Sequence, residues 1–347
     1  MKTKETEIQD FFQTPIEHFP DRSARWLLQD KENVLGLIEI VANDLVALLD
    51  FNRLTHLNRS FISDTLREQE SDILFSVPFQ TDSETDELLI YILIEHQSTV
   101  DVAMGFRVLF YMMQIWDSQR RKWESENVPK SQWRLRPILP IVFYTGTQRW
   151  NTPLTLTAIM DIPDVLTRFV PTFDTLFLSV KETAAARLTE TDHPLGWLLT
   201  VVQKEDADKD LISEALLAAV SHLNTLDTEQ AQQRRAIIHL LLLVLHRRPV
   251  EEHEELITLI DQYSQGMEVE TMAQSMAEAL IEQGIEQGIE QGETRAKHEL
   301  LLKLLQFRFE TVPESVITRI TAIQDRSRLD SIFEKALTVE NLNEIDW

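Results

Sequence analysis

A chain of 347 residues, 43% of them hydrophobic, has material for folded cores in two or three domains. The absence of cysteine excludes disulfides and thiolate metal sites, no apolar run approaches the ~20 residues of a membrane helix, and the start MKTKETEIQDFF lacks the apolar centre of a secretory leader, so a cytoplasmic location is expected. The formal charge of −24 argues against simple electrostatic DNA binding, because phosphate neutralisation needs Lys and Arg; any nucleic-acid contact must gather basic residues locally or use divalent ions.

Residues 1–22 read as a polar lead-in. From Arg25 to Asp50 the spacing predicts a helix whose apolar face is Val34, Ile38, Val41, Leu45 and Leu48. Glu39 and Asp44 stand on it, and acids on a helix are usually only solvated. Arg53, His56 and Arg59 follow in FNRLTHLNRSF and carry no chemical assignment.

The next stretch, SDILFSVPFQTDSETDELLIYILIEHQ, holds two short runs rich in β-branched and aromatic residues, Ile73 to Val77 and Leu88 to Ile94. Pro78 is expected to end the first strand, and TDSETDE is a connecting loop. An antiparallel hairpin centred on that loop sets Leu74 opposite Leu93, Ser76 opposite Tyr91 and Asp72 opposite Glu95, with Gln97 on the same face as Glu95 and with Ile94 and His96 on the other. Paired carboxylates repel across a ladder, and a cation between them removes that cost. Mg²⁺ suits one or two carboxylates and can activate an attacking water at a phosphoryl group. The plain alternative is that both acids end their strands in solvent.

Ser98 or Thr99 can cap a helix from Val100 to about Trp123, with Asp101 in its first turn and Met104, Val108, Tyr111 and Ile115 on its inner face. Arg107 and Tyr111 are neighbours on its surface. Arg120 to Arg136, RRKWESENVPKSQWRLR, is the one clearly basic segment; with Trp123 and Trp133 interleaved, it is the candidate DNA contact, through Arg120, Arg121, Lys122, Lys130, Arg134 and Arg136. Pro137 to Thr145 reads as a buried strand, Gly146 permits a sharp exit, and FDTLFLSV is an edge strand. From Glu182 to about Gln262 the texture is all-helical, and His239 and His246 share a face for packing rather than for metal. In IEQGIEQGIEQGE, Ile281, Ile285 and Ile289 alternate with Gly284, Gly288 and Gly292, which suggests close approach to a second copy in a homodimer or a flexible linker. Amphipathic helices separated at Pro313 complete the chain.

SDILFSV…LIYILIEHQS, MGFRVLFY, LPIVFYTGTQRW and the IEQG repeat together resemble the Rpn family of recombination-promoting nucleases and transposase-like proteins, within the PD-(D/E)XK nuclease superfamily. The resemblance covers roughly the first half of the chain. It implies an α/β core, a mixed sheet flanked by helices, followed by an all-α C-terminal region. It also implies a Mg²⁺-dependent DNA endonuclease, with Mn²⁺ or Ca²⁺ as alternative ions. Asp72 and Glu95 would be the metal-binding acids, Glu39 and Asp44 are candidates for the metal-facing acid that the superfamily sometimes carries on the helix before the sheet, and Gln97 stands where most of the superfamily has lysine. The helix bearing Arg107 would pack beside the site, bringing that guanidinium towards a phosphate or towards Glu95. The expected domains are a nuclease domain over 1–181, a helical region over 182–265, and the glycine repeat with a small helical domain over 266–347. The competing reading is a non-catalytic, decayed nuclease fold acting in assembly; the acidic charge and Gln97 favour it, whereas Asp72 and Glu95 favour the enzyme.

Overall fold

The computed structural model describes residues 24, 27–57, 73–80, 88–226, 230–264, 269, 272–273, 276, 296–309, 312–323, 326–339 and 341. Glu17–Met276 form one compact unit, and Ala277–Trp347 with Met1–Ile16 form another. The sheet and the helices that follow it, as far as Tyr263, belong to the first of these units.

Helix α1 (Lys31–Val46) starts at Asp30, whose carboxylate accepts the Glu32 N–H at 3.2 Å. Val34, Leu37, Ile38 and Ile40 are buried. The face expected from spacing holds for the first turns and then fails: Ala42 is non-helical (φ −155°, ψ 56°), the helix kinks there, and Leu48 ends exposed.

Five strands form one sheet in chain order: β1 (Thr55–His56), β2 (Ile73–Phe79), β3 (Leu88–Gln97), β4 (Ile138–Tyr144) and β5 (Leu176–Ser179). β1, β2 and β3 are antiparallel neighbours, while β3, β4 and β5 run parallel. The expected register is present, with Leu74 opposite Leu93 and Ser76 opposite Tyr91. Pro78 does not end β2, which continues to Phe79. A strand residue points its N–H and C=O to the same side. The Pro78 carbonyl accepts the Asp50 N–H at 2.9 Å, so its donor-less nitrogen also faces Asp50 and the ladder to β3 loses nothing.

Helix α2 (Met104–Ser125) makes the crossover from β3 to β4. Met104, Val108, Tyr111, Met112 and Ile115 pack with Leu74 and Val142 on one face of the sheet. The helix stops in a Schellman motif: Asn127 takes φ 54°, its N–H bonds the Glu124 carbonyl, and the Val128 N–H bonds the Trp123 carbonyl. β5 is the edge strand expected from FDTLFLSV. Gly146 serves by size rather than by conformation, since a Cβ there would strike the Ser98 carbonyl and the Tyr144 hydroxyl.

On the other face, Phe143 meets Leu199, Val202 and Leu243 of the helical layer. That layer is α3 (Ala185–Leu188), α4 (Pro194–Gln203), α5 (Lys209–Leu223), α6 (Gln230–Arg247) and α7 (Val250–Tyr263). His193 caps α4 by accepting the Leu195 N–H at 3.1 Å, and α4 packs on α1, α5 and α6. Gly196 lies so close to the Leu188 carbonyl that no side chain fits. In the second unit, helix α8 (residues 296–309), α9 (Glu314–Ala322) and α10 (Arg326–Thr338) enclose Leu301, Leu305, Ile320, Leu329 and Ile332. The repeat bearing Gly284, Gly288 and Gly292 lies outside the described residues.

Candidate active site

The carboxyl ends of β3, β4 and β5 share one edge of the sheet, the edge at which open α/β sheets place ligand sites. β2 enters from the same edge, with Ile73 opposite Ile94. Asp72, the residue before Ile73, lies outside the described residues. Glu95 occupies β3 beside Val142, and its side chain is not among those described. Gln97, beside Tyr144, is buried, and its Nε2 donates to the His96 carbonyl at 2.8 Å. Among the side chains described, no group of three or more His, Asp or Glu is placed to hold a metal ion. The expected donors, the carboxylates of Asp72 and Glu95, are hard oxygen ligands of the kind that suits Mg²⁺.

Sequence reasoning gave no role to the residues that hold this strand end. His96, between Glu95 and Gln97, is buried, with Nε2 2.9 Å from the Thr145 hydroxyl and its ring 5.9 Å from Phe143. The Thr145 N–H donates to the Gln97 carbonyl at 3.0 Å, extending the β3–β4 ladder one step past β4. Thr145 also lines a small cavity, ~30 Å³, with His239, Glu205 and Arg247. There the Glu205 carboxylate, 9% exposed, is held by Lys181 at 2.9 Å and Arg247 at 3.3 Å. The His96–Thr145 pair thus adjoins a cavity that polar groups of the helical layer also line. The signal for it was present in the sequence as Thr145 of YTGT, but pairing across 49 positions has no local signature.

Asp44 is exposed. Glu39 is half-buried, and burial raises its carboxyl above the ordinary range, with a hydrogen bond from Thr191 opposing. Arg107 pairs with Asp101 at 2.9 Å, and the same carboxylate accepts the Ala103 N–H and so opens α2. The Asp101 turn leads into α2, whose N-cap is Ala103 without a side-chain hydrogen bond, so neither Ser98 nor Thr99 caps it. His56 rests edge-on to Phe75 and serves packing.

The basic segment is divided in two. On α2, Arg120 bonds Asp117 and Glu124, both at 2.7 Å; Arg121 lies 3.4 Å from Asp117 and Lys122 3.9 Å from Glu126. Beyond the helix, Lys130, Arg134 and Arg136 occupy a strap tied back to it, because the Arg136 N–H donates to Gln119 and Trp116 donates to the Arg136 carbonyl. Trp123 and Trp133 are packed on each other, ring centres 5.6 Å apart, and the Trp133 indole donates to Val128. The two rings expected to interleave with bases therefore face one another in the structure, and Lys130 sits over the Trp133 face at 5.8 Å.

A family model described as "Putative transposase, YhgA-like" matches residues 18–235, well over half of the chain. The chain belongs to this family. The match spans the sheet, α2, the basic strap and the helices to the start of α6, so positions 72, 95 and 97 lie within the YhgA-like region, whereas His239 and Arg247 lie beyond it. The recombination-promoting nuclease RpnD of Escherichia coli O157:H7 is 29% identical over 202 residues, which are 58% of this chain and 72% of that protein. A protein of Escherichia coli K12 named as an inactive recombination-promoting nuclease-like protein, YjiP, is 33% identical over 105 residues, 30% of this chain and 96% of that one. The recombination-promoting nuclease RpnA of the same strain is 34% identical over 103 residues, 29% of this chain and 31% of that one. No solved structure matches the chain. Among the described residues, no helix is long and apolar enough to cross a membrane.

Proposed function

We propose that this YhgA-like chain is a metal-dependent DNA endonuclease that hydrolyses phosphodiester bonds in the course of recombination or transposition. The observation that carries the reading is the meeting of β3, β4 and the start of β2 at one sheet edge, which sets Glu95 and Gln97 on the strand that pairs with β2 immediately after Asp72 in sequence. Asp72 and Glu95 would hold Mg²⁺, which supplies Lewis-acid polarisation of the phosphate and a more acidic water. Gln97 would orient that water or a phosphoryl oxygen through its amide. Lys130, Arg134 and Arg136 would meet phosphates without reading bases. The kinship with proteins named recombination-promoting nucleases supports the same reading.

A second reading has its own support: some relatives are named inactive, and a buried amide in place of the usual lysine removes a cation from the site. Plasmid nicking with and without Mg²⁺ separates the two. Wild type is expected to nick only with the ion, and Asp72→Ala to lose nicking while keeping its melting temperature. Equal nicking by both, or none by wild type under any divalent ion, favours the non-catalytic reading.

A further inference from the structure

The outer side of α2 is apolar. Its inner side is already satisfied by the sheet, yet Val102 before its first turn and Phe106, Phe110 and Met113 along it stand 63%, 51%, 40% and 55% exposed. The last three fall at i, i+4 and i+7, one stripe on a straight helix, and Phe106 and Phe110 stack with ring centres 6.2 Å apart. The connection from β4 to β5 extends the stripe: its first 3₁₀ turn, Leu156–Ile159, packs on α2, and Ile159 and Met160 are themselves about half exposed. Monomeric proteins expose single apolar side chains everywhere, but contiguous aromatic stripes mark docking surfaces.

We propose that this stripe is where two copies of the chain pair, α2 against α2 about a twofold axis near Phe110. Two arguments select a second copy as the occupant. The first is area: six side chains, each exposing roughly half of the 150–250 Å² that a large ring can bury, offer on the order of 600 Å² per copy, most of the ~800 Å² per partner of a standard interface. The second is charge. The whole chain carries 57 acidic against 33 basic residues, so most of its surface repels its twin. Residues 101–170 carry nine Lys and Arg against six Asp and Glu, and this is the region bearing the stripe. The pairing stands apart from the nuclease reading and from any association through the glycine repeat.

Sedimentation velocity on the full chain tests it. Wild type is expected to run at twice the chain mass, and Phe106→Glu with Phe110→Glu to weaken association at least tenfold. Phe307→Glu, at an 88% exposed position of the second unit, is expected to change nothing. Because the chain has no cysteine, Phe110→Cys supplies a single thiol that should cross-link copies under mild oxidation, and this variant carries the test if the double glutamate variant fails to fold. A monomeric wild type, a double variant that pairs as wild type does, or a Phe110→Cys chain that stays uncross-linked would overturn the proposal. A monomer whose double variant loses DNA affinity would instead make the stripe a nucleic-acid contact.

Discussion

At the scale of single residues, the end of β3 depends on partners distant in sequence. The Thr145 hydroxyl meets the buried His96 ring, and removing one partner of a buried polar pair costs about 1–3 kcal/mol. Thr145→Val should therefore lower the melting temperature by several degrees, and Thr145→Ser, which keeps the hydroxyl, by much less; circular dichroism melts read both. Gln97→Lys is expected to preserve or raise nicking, since a cation offsets charge developing on the phosphate. Loss of nicking with an unchanged melt would show that the amide has a geometric role of its own. The pairing of β2 with β3 was legible because β-strand alternation is local. His96–Thr145 and Lys181–Glu205 were not, because each joins elements far apart in the chain.

At the scale of elements, periodicity succeeded where an element was regular. The β2–β3 register and the inner face of α2 follow directly from alternation and from the 3.6-residue repeat. It failed at Ala42, where a kink turns the face, and at Pro78, where the missing donor happens to point away from the ladder. For the basic segment, composition counts charges but not their pairing. Three of its cations lie within ion-pair distance of acids one helical turn away, and such exposed pairs are worth little energy yet hold the side chains along the helix. Replacing Lys130, Arg134 and Arg136 by Ala should therefore weaken DNA binding more, and flatten its salt dependence more, than replacing Arg120, Arg121 and Lys122. Every phosphate that a variant no longer neutralises lowers the log–log salt slope by roughly 0.9, so titrations at several salt concentrations decide between the two groups.

For the molecule as a whole, acid should be destabilising through two histidines. Burial lowers His193 and His239 to about 4, against an ordinary value of 6.5; a backbone hydrogen bond at Glu32 opposes the shift for His193. Below 6.5 the unfolded chain takes up these protons first. The stability from keeping the rings neutral is thus complete above 6.5 and is lost as pH falls towards 4, by ~1.4 kcal/mol per pH unit for each ring. His193→Asn keeps a capping side chain on α4 and removes one titration, so its urea midpoint should fall less steeply than that of wild type between pH 6.5 and 4.5. Comparing slopes rather than levels cancels the relief of acidic self-repulsion, which has the opposite sign. The merging of sheet and helical layer into one unit was not readable in the sequence, because it rests on α4 packing against α1 across some 150 residues of chain.

The lengths of the strands have a consequence for solubility. The segment best suited to cross-β stacking is LLIYILI at the start of β3, seven uncharged residues of high β-propensity. It occupies the middle of the sheet, while the outermost strands are only two and four residues long, too short to template growth by another chain. Fraying of these two described outer strands leaves the LLIYILI segment paired between β2 and β4. Turbidity on heating should accordingly appear only when the sheet as a whole opens, and it should then be irreversible.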